Sequence, residues 1–406
     1  MSPPAPPTRR ARRRRRFKLA LLLVALPVAA EASAYGVGRL LQSRWAMYVD
    51  PVEVATDRKV RDYEEYLRVR DPELGWPAPR SLGTPQFDHD GSVPLPSNPG
   101  LAERGPPLIS LYGDSFVWGQ CNATPAQSWP DLLARRLERQ VKNFGVASYG
   151  SDQAYLRFLR NTDDRTPLVV LGHMAENVIR NLTRLRDFTA GGSQGFAFKP
   201  RFVLGPDGSL ERIPIPALTP TEYRRLLGLE GPALELAHES FAPGGPAGAV
   251  RLRFPFTLSV LRNAGYWRFR SRVMRRPDSL ELYERDHPLH GYQITREVLR
   301  AFHTEAHARG RRPLVLLFPG PADAAYCQKT GINVLGPLAA ELSAEGVEVL
   351  DFTPVLLRWL GERPSAQVFA NSHFTAEVAP LIADTVAAWA SGAGRARPLA
   401  GSAPGR

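Results

Sequence analysis

The feature that most constrains the fold is a repeated alternation of short apolar runs with stretches that carry apolar residues at helical spacing. The first run, PLISLYG at 107–113, precedes a helical pattern at 128–140, and the rhythm continues to residue 183 and resumes over 291–391. Such runs are typical of strands buried on both faces, and strands alternating with helices form βαβ units. The sequence therefore predicts an α/β fold, a three-layer α/β/α flavodoxin-like sandwich around a parallel sheet of about five strands.

The N-terminus combines a basic leader at 1–16 with an apolar segment at 17–41. A short apolar run behind a block of arginines is typical of an export signal, and Ala32-Ser33-Ala34 offers a cleavage site. Extended to Leu41, the run approaches membrane-spanning length, although Glu31 then has to lie near an interface. We predict an uncleaved signal anchor with the rest of the chain outside the cytoplasm, cleavage and secretion being the alternative.

The remaining chain divides into segments of different character. Residues 42–106 are rich in Pro, Gly and Asp and predict an irregular approach to the main domain, which we place at 107–391. An insertion at 184–290 interrupts the alternation and contains a predicted hairpin that turns at 205–208. It is either a substrate-binding cap or a decorated edge. The Gly-, Ala- and Arg-rich tail at 392–406 is predicted to be disordered.

The formal net charge of +12 does not indicate nucleic-acid binding, because much of it lies in the leader and no nucleic-acid-binding motif is present. Two cysteines, Cys121 and Cys327, are too few for a disulfide scaffold, and whether they pair is left open. His303 and His307 have i,i+4 spacing but no accompanying carboxylate motif, which favours a solvated helix face over a metal site. We predict no cofactor and no metal.

Polar residues follow the ends of successive predicted strands. Ser115, in GDS, follows the first strand and is either a nucleophile or a helix cap. The loop at 143–153 supplies backbone amides, Asn177 follows the third strand, and His373 follows the last. Because the carboxyl ends of parallel strands meet at one edge of the sheet, these groups are expected to converge there. A serine needs a base and oxyanion donors to act as a nucleophile, and these residues could supply both.

Four stretches resemble the sequence blocks of the SGNH (GDSL-type) hydrolase superfamily: YGDSFVWG, NFGVASYGSDQ, LGHMAEN and NSHFTAE. The resemblance covers approximately 107–183 and 291–391. It implies that Ser115 is the nucleophile and His373 its base. It also implies that the amides of Ser115 and of Ser148 or Gly150, with the Asn177 side chain, hold the oxyanion. Membrane-anchored acyltransferases that O-acetylate exopolysaccharides share an N-terminal anchor and an exported domain of this superfamily.

The chain departs from the family pattern at the acid of the triad. An aspartate usually lies two or three residues before the histidine, where Asn371 and Ala370 stand here. The side-chain carbonyl of Asn371 can accept the imidazole N–H and orient the His373 ring, but it contributes no full charge. In the third block, Val178 replaces the aspartate that often follows the asparagine.

These observations predict an exported serine esterase that hydrolyses ester groups, for instance O-acetyl groups, on a carbohydrate or envelope polymer. A small-molecule ester is the alternative substrate. Transfer of the acyl group to an exopolysaccharide is an alternative reaction. A catalytically degenerate domain that binds a glycan or an envelope partner is an alternative of a different class, favoured by the missing aspartate. The predicted partners are the ester and, through the N-terminal segment, the membrane.

Overall fold

The structure is a computed structural model that describes residues 9–45, 48–49, 57–77, 79–190, 198–227, 237–242, 245–248, 250–263 and 265–392. Residues 1–8 of the leader and 393–406 of the predicted disordered tail lie outside the described residues, as do parts of the approach segment and the insertion.

The centre of the molecule is a parallel sheet of five strands. The described strands are β1 (Tyr48–Val49), β2 (Ile109–Gly113), β3 (Val141–Gly145), β4 (Leu168–Met174), β5 (Arg201–Leu204), β6 (Leu210–Ile213), β7 (Val250–Arg251), β8 (Arg312–Phe318), β9 (Val349–Asp351), β10 (Phe369–Ala370) and β11 (His373–Phe374). The order of the strands in the central sheet is β3-β2-β4-β8-β9. The order of the central strands is that of a flavodoxin-like sheet. The predicted fold is therefore confirmed.

The central strands are apolar throughout because both faces of the sheet are covered. Leu171 and Leu317 point into one hydrophobic cluster, and their neighbours Val170 and Leu316 point into another, all at 0% exposure. Successive side chains of a strand point to opposite faces, so a continuous apolar run fills two cores at once.

Helices cover both faces. The described α-helices are α1 (Arg9–Trp45), α2 (Asp57–Val69), α3 (Asn98–Leu101), α4 (Ser115–Trp118), α5 (Trp129–Leu137), α6 (Ser151–Arg160), α7 (Asn177–Asn181), α8 (Asp187–Ala190), α9 (Pro220–Leu227), α10 (Phe256–Asn263), α11 (Trp267–Val273), α12 (Gly291–Ala308), α13 (Pro321–Thr330), α14 (Gly336–Ala344), α15 (Phe352–Leu360) and α16 (Ala379–Ala390). Helices α6, α7, α12 and α14 pack on one side of the sheet, and α5, α13, α15 and α16 pack on the other. Of the eight helices that cover the sheet, α13 and α15 do not correspond to a helical stretch of the predicted alternation.

The N-terminal helix α1 is long and apolar enough to cross a membrane. Its segment Arg13–Gln42 has a mean hydropathy of 1.7 over its most apolar window, and none of that window is buried against the rest of the protein. Pro27 lies inside this helix, which is tolerated more readily in membrane helices than in water.

The approach segment and the insertion pack against each other. The predicted hairpin is present, with β5 and β6 antiparallel and joined through Gly205 and Gly208. The approach segment is not irregular throughout, because α2 is a regular helix whose Tyr63 and Tyr66 pack against Phe198 of the insertion. The amphipathic spacing within 57–69 was the signal for this helix.

A buried charge cluster joins the insertion to the sandwich. Lys199 donates to Asp152, in the first turn of α6, and to the carbonyls of Thr183 (3.2 Å) and Pro200 (2.8 Å). The side chains of Lys199 and Asp152 are both completely buried. All three ammonium donors thus have acceptors, as a buried charge requires.

Candidate active site

Ser115 lies at the carboxyl end of β2 and begins α4. The cap of this short helix is Asp114, whose carboxylate accepts the Phe116 amide at 2.8 Å, so the Ser115 hydroxyl is not used as a cap. The turn needs glycine before it, because a Cβ on Gly113 would lie 2.3 Å from Val117 Cγ2. A Cβ on Gly145, at the end of β3, would similarly lie 2.4 Å from the Trp118 amide. Small residues at the strand ends therefore let α4 pack directly on the sheet.

His373 meets Ser115 across the sheet edge. Its Nε2 lies 2.8 Å from Ser115 Oγ, and its Nδ1 lies 2.7 Å from the backbone oxygen of Asn371. Ser115 is 5% exposed and His373 is half-buried, so the pair is reachable from solvent through the histidine side. The imidazole also packs against the Phe116 ring, with centroids 5.3 Å apart. With Nδ1–H donated to the carbonyl, Nε2 is the free base that a serine nucleophile needs.

The role predicted for the Asn371 side chain needs correction, because the acceptor for His373 is the backbone carbonyl of Asn371. Strands β10 and β11 form a hairpin in which Ala370 pairs with His373. The two residues between them, Asn371 (φ 46°) and Ser372 (φ 64°), both adopt the left-handed conformation that a type I′ turn requires. Asn is well suited to this turn position. The side chain of Asn371 therefore serves the turn and is exposed to solvent.

We expect Asn371→Asp to change kcat/KM for ester hydrolysis by less than about fivefold, because an exposed charge interaction contributes at most about 1 kcal/mol. Steady-state kinetics with p-nitrophenyl acetate measures this, and Ser372→Asp is the matched control that adds the same charge to the other turn residue. A tenfold or larger rise in Asn371→Asp alone would contradict the backbone role, since it would indicate a carboxylate acting on Nδ1.

The predicted oxyanion donors differ in their availability. Asn177, the first residue of α7, is completely buried beside Asp114. Among the residues that the structure describes, no hydrogen-bond partner lies on either polar atom of its carboxamide. Gly150 is different, because its amide donates to Gln153 Oε1 at 3.3 Å at the start of α6. Ser148 has a φ of 67° and so occupies a backbone conformation that favours glycine.

Arg180 connects three strand ends, and the sequence analysis did not identify it. Its Nη1 donates to Asp114 Oδ2 at 3.2 Å and to the Tyr149 carbonyl at 3.0 Å, and its side chain is 7% exposed. Complete burial raises the pKa of the Asp114 carboxyl, and the Arg180 charge opposes that rise. Arg180 lies one turn after Asn177, so α7 holds the loops after β2 and β3 together.

Asn122 is a second positioning residue that the sequence analysis did not identify. Its Nδ2 lies near the carbonyls of Ala370 (2.5 Å), His373 (3.1 Å) and Phe374 (3.3 Å). The carboxamide thus fastens the histidine hairpin to the loop that follows the Ser115 helix. No local pattern marks this residue, because its partners lie about 250 positions away in the chain.

Other histidines are placed away from the sheet edge. His173 Nδ1 lies 2.5 Å from Ser151 Oγ, but both residues are 0% exposed, and burial lowers the pKa of His173 to about 3. His303 is not on a solvated face as predicted: it is 8% exposed, its Nε2 accepts the Glu348 amide, and burial lowers its pKa to about 4. Within the described ranges, no group of three or more His, Cys, Asp or Glu side chains could hold a metal ion.

A small pocket opens beside Ser115 and His373 on the side of α5 and α16. Its volume is about 30 Å³, and its walls are mostly apolar. They include Phe116, Cys121, Trp129, Phe374, Ala379 and Ile382. Burial raises the pKa of the Cys121 thiol to about 11, with the Asp114 charge adding to the rise. Both cysteines are free thiols, so Cys121 and Cys327 are not paired in this structure.

Comparison with known proteins gives similarity at the level of structure. No protein-family model matches the chain, and no curated protein matches it. A solved structure from Desulfitobacterium hafniense DCB-2, assigned as a lipolytic protein of the G-D-S-L family, has 14% identity and a TM-score of 0.32, covering 69% of this chain and 97% of that chain. Another, assigned as an acylhydrolase from Bacteroides fragilis NCTC 9343, has 10% identity and a TM-score of 0.33, covering 73% of this chain and 95% of that chain.

These structures superpose on the chain only in part, so the chemistry of the site is inferred from the geometry of this chain alone. That geometry is a serine at the end of the first central strand, hydrogen-bonded to a histidine from the C-terminal hairpin. The five-stranded sandwich with Ser115 and His373 at one edge is the arrangement that the resemblance to the SGNH (GDSL-type) superfamily implies.

Proposed function

We propose that the protein is a serine esterase of the SGNH type in which Ser115 is the nucleophile and His373 the general base. The observation that carries the proposal is the 2.8 Å contact between Ser115 Oγ and His373 Nε2, with Nδ1 fixed by the Asn371 carbonyl at 2.7 Å. An intact nucleophile and base favour turnover over a degenerate binding module.

The reaction proceeds in two displacements. Ser115 Oγ attacks the ester carbonyl while His373 Nε2 takes its proton, and the carbonyl electron pair moves onto oxygen. The resulting tetrahedral intermediate collapses with loss of the alcohol, which receives the proton from His373. Water then attacks the acyl-Ser115 ester and gives a proton to His373. Collapse releases the acid, and the departing Ser115 oxygen takes that proton back from His373, which restores the serine and the free base. The Asn371 carbonyl stabilises the imidazolium through Nδ1–H but carries no full negative charge.

Three donors are proposed for the oxyanion: the amide of Ser115, the amide of Ser148 and the carboxamide of Asn177. The Ser115 amide lies in the first turn of α4, where helix amides have no partner within the helix. The carboxamide of Asn177 is completely buried next to the Asp114 carboxyl, and within the described residues it makes no hydrogen bond of regular geometry. Donors that are ordered before the substrate binds are effective because they need no reorganisation during the reaction.

The pocket beside Ser115 supports a short acyl group as substrate. A volume of about 30 Å³ accommodates about two groups of the size of a water molecule, which fits acetyl or propionyl. The apolar walls favour the alkyl part of the ester. The exposed turn at Asn371 and Ser372 lies beyond the histidine, and the alcohol is proposed to occupy this open side. A bulky alcohol such as a sugar of an envelope polymer fits that arrangement.

The protein is proposed to be exported and anchored by α1, with the arginine leader in the cytoplasm. Retention of α1 is supported by its contacts with the folded domain, since Glu31 accepts the Phe256 amide at 2.5 Å. Cleavage after Ala34 would remove this contact. An ester on a carbohydrate of the cell envelope is a substrate that an enzyme in this position could reach.

The proposed activity is tested by incubating the membrane-embedded full-length protein with p-nitrophenyl acetate and with a fluorophosphonate probe. We expect acetate release and labelling of Ser115. A folded protein that shows neither would refute the esterase and favour the binding module. Adding an oligosaccharide acceptor separates hydrolysis from transfer, because transfer yields the acetylated oligosaccharide at the expense of free acetate.

Enlarging the pocket should change the preferred acyl length. Ile382→Ala is expected to raise the ratio of kcat/KM for p-nitrophenyl hexanoate over acetate by about tenfold, because the new space admits additional methylenes. Ile294→Ala is the matched control, since Ile294 is a buried isoleucine of α12 in the other core. Equal ratios in the two variants would show that the pocket does not hold the acyl group.

A further inference from the structure

Helix α10 of the insertion is attached to the N-terminal helix α1. The Glu31 carboxylate accepts the Phe256 amide and the Thr257 hydroxyl, both at the start of α10. Tyr35 packs against the Phe256 ring with centroids 5.0 Å apart. Farther along α1, Gly38 is buried against Leu252, where a Cβ would lie 2.6 Å from Leu252 Cδ1. Three successive turns of α1 thus contact the segment that leads into α10.

The position of Glu31 along α1 determines how deep α10 lies. Glu31 lies fourteen positions after Phe17, which follows the arginine leader. At about 1.5 Å per residue this is about 21 Å, whereas the hydrocarbon core of a bilayer is about 30 Å thick. With the arginines at the cytoplasmic boundary, Glu31 and the start of α10 lie within the outer part of the hydrocarbon core. At that depth lipid offers no hydrogen-bond donor. The amide and the hydroxyl at the start of α10 donate to the Glu31 carboxylate and so satisfy it.

Helix α10 and the segment just before it expose three large apolar side chains. We define the docking face as Phe254, Leu258 and Leu261, which are 73%, 41% and 71% exposed. Leu258 and Leu261 are three residues apart in the helix and so lie on one side of it. Arg253 and Arg262 are exposed at either end of this segment. Apolar side chains bordered by arginines are typical of helices that lie in a membrane interface.

We propose that the docking face inserts into the outer leaflet of the membrane that α1 spans, and that Arg253 and Arg262 contact its phosphate groups. The proposal rests on the anchored topology given under Proposed function. Lipid is the occupant that the structure favours, because the face adjoins a helix already surrounded by lipid at that depth. A second copy of the chain is the other occupant that a solvent-exposed apolar face could take.

The contact would hold the domain in a defined orientation at the membrane. Helix α11 follows α10 closely, and its Trp267 is buried against Phe241 with centroids 5.7 Å apart. The chain therefore enters the hydrophobic core of the sandwich at Trp267, six residues after Leu261 of the docking face. Together with α1, it gives the domain two membrane attachments.

The test uses the full-length protein with Cys121→Ser and Cys327→Ser in lipid nanodiscs, one copy in each disc. Leu261→Cys carries a bimane label, and the discs contain phosphatidylcholine brominated at carbons 6 and 7 of one acyl chain. We expect the bromines to quench the fluorescence by at least half and aqueous iodide to have little effect. The matched control is a bimane at Ile332→Cys, since Ile332 is also apolar and 51% exposed but lies in the loop between α13 and α14 of the sandwich; iodide alone should quench it.

The outcomes separate the alternatives. Quenching of the Leu261 label by iodide alone, as at Ile332, would overturn the proposal. If neither quencher reached the Leu261 label in discs with two copies, but iodide did in discs with one, the proposal would be overturned in favour of self-association. Glu31→Leu should reduce bromine quenching, whereas Glu31→Gln, which keeps an acceptor for the Phe256 amide, should reduce it less. Two measurements on the wild-type protein test the proposed function independently. N-terminal sequencing shows whether α1 is retained, and acetate release shows whether the protein is an esterase. A failure of either is therefore distinguished from a failure of docking.

Discussion

Ser115→Ala is expected to lower kcat for acetate release by at least about 10⁴-fold, because it removes the atom that forms the acyl intermediate. The substitution deletes one hydroxyl at the sheet edge and leaves the Asp114 cap of α4 in place. The fold should therefore be unchanged, which circular dichroism checks. A residual rate from the oxyanion donors alone is consistent with this expectation.

His373→Ala should cause a loss of similar size, and the double variant should lose little more. Nucleophile and base act as a unit, so their effects are far from additive. Additive losses in the double variant would contradict the assigned pair.

Ser151→Ala is the matched control for this experiment. Ser151 also contacts a histidine, His173, at 2.5 Å, but neither residue is exposed. A fluorophosphonate should label the Ser151→Ala protein as it labels wild type, and it should not label Ser115→Ala. Labelling that persists in Ser115→Ala would place the nucleophile elsewhere.

Lys199→Met is expected to lower the free energy of unfolding by about 3–5 kcal/mol, because it leaves the Asp152 carboxylate buried without its counter-charge. Burial lowers the pKa of Lys199 to about 8, and the Asp152 charge opposes that lowering. Burial disfavours the charge on both side chains, and the attraction between the two charges compensates that desolvation cost. Urea denaturation followed by tryptophan fluorescence measures the change.

Adding Asp152→Leu to Lys199→Met should restore much of the lost stability, since a buried ion pair can be replaced by apolar side chains at little net cost. Lys142→Met is the matched control, because Lys142 contacts Asp90 at 2.8 Å with both side chains partly exposed. It should cost less than about 1 kcal/mol. If Lys199→Met also lowered the free energy of unfolding by less than about 1 kcal/mol, the buried pair would contribute nothing to joining the insertion to α6.

The sequence predicts the sandwich well because the signal for it is local. Each central strand is a run buried on both faces, and the helices between the strands repeat their apolar residues at helical spacing. Ser115 and His373 could be placed at one edge without any contact information, because parallel strands deliver their carboxyl ends to the same side. The 2.8 Å contact between them follows that expectation in the structure.

The groups that support the site leave no such signal. Arg180 contacts Asp114 across 66 positions of chain, and Asn122 contacts Ala370 across 248. Neither contact produces a periodic pattern, and an arginine or asparagine in a loop has many ordinary explanations. Helix α15 was missed for another reason: its buried Phe352, Leu356 and Leu360 follow β9 directly, with no loop to separate the two apolar segments.

The backbone acceptor of His373 has an evolutionary consequence. A triad aspartate can be replaced by one nucleotide change, and the charge on the histidine's partner is then lost. The backbone carbonyl of residue 371 remains when the Asn371 side chain is replaced, as long as the two-residue turn is kept. Selection at 371 and 372 therefore acts on turn-forming residues such as Asn, Asp and Gly, with no requirement for an acid. Insertions or deletions in this turn, which would move the carbonyl away from Nδ1, are the changes that would be purged from related chains that share it.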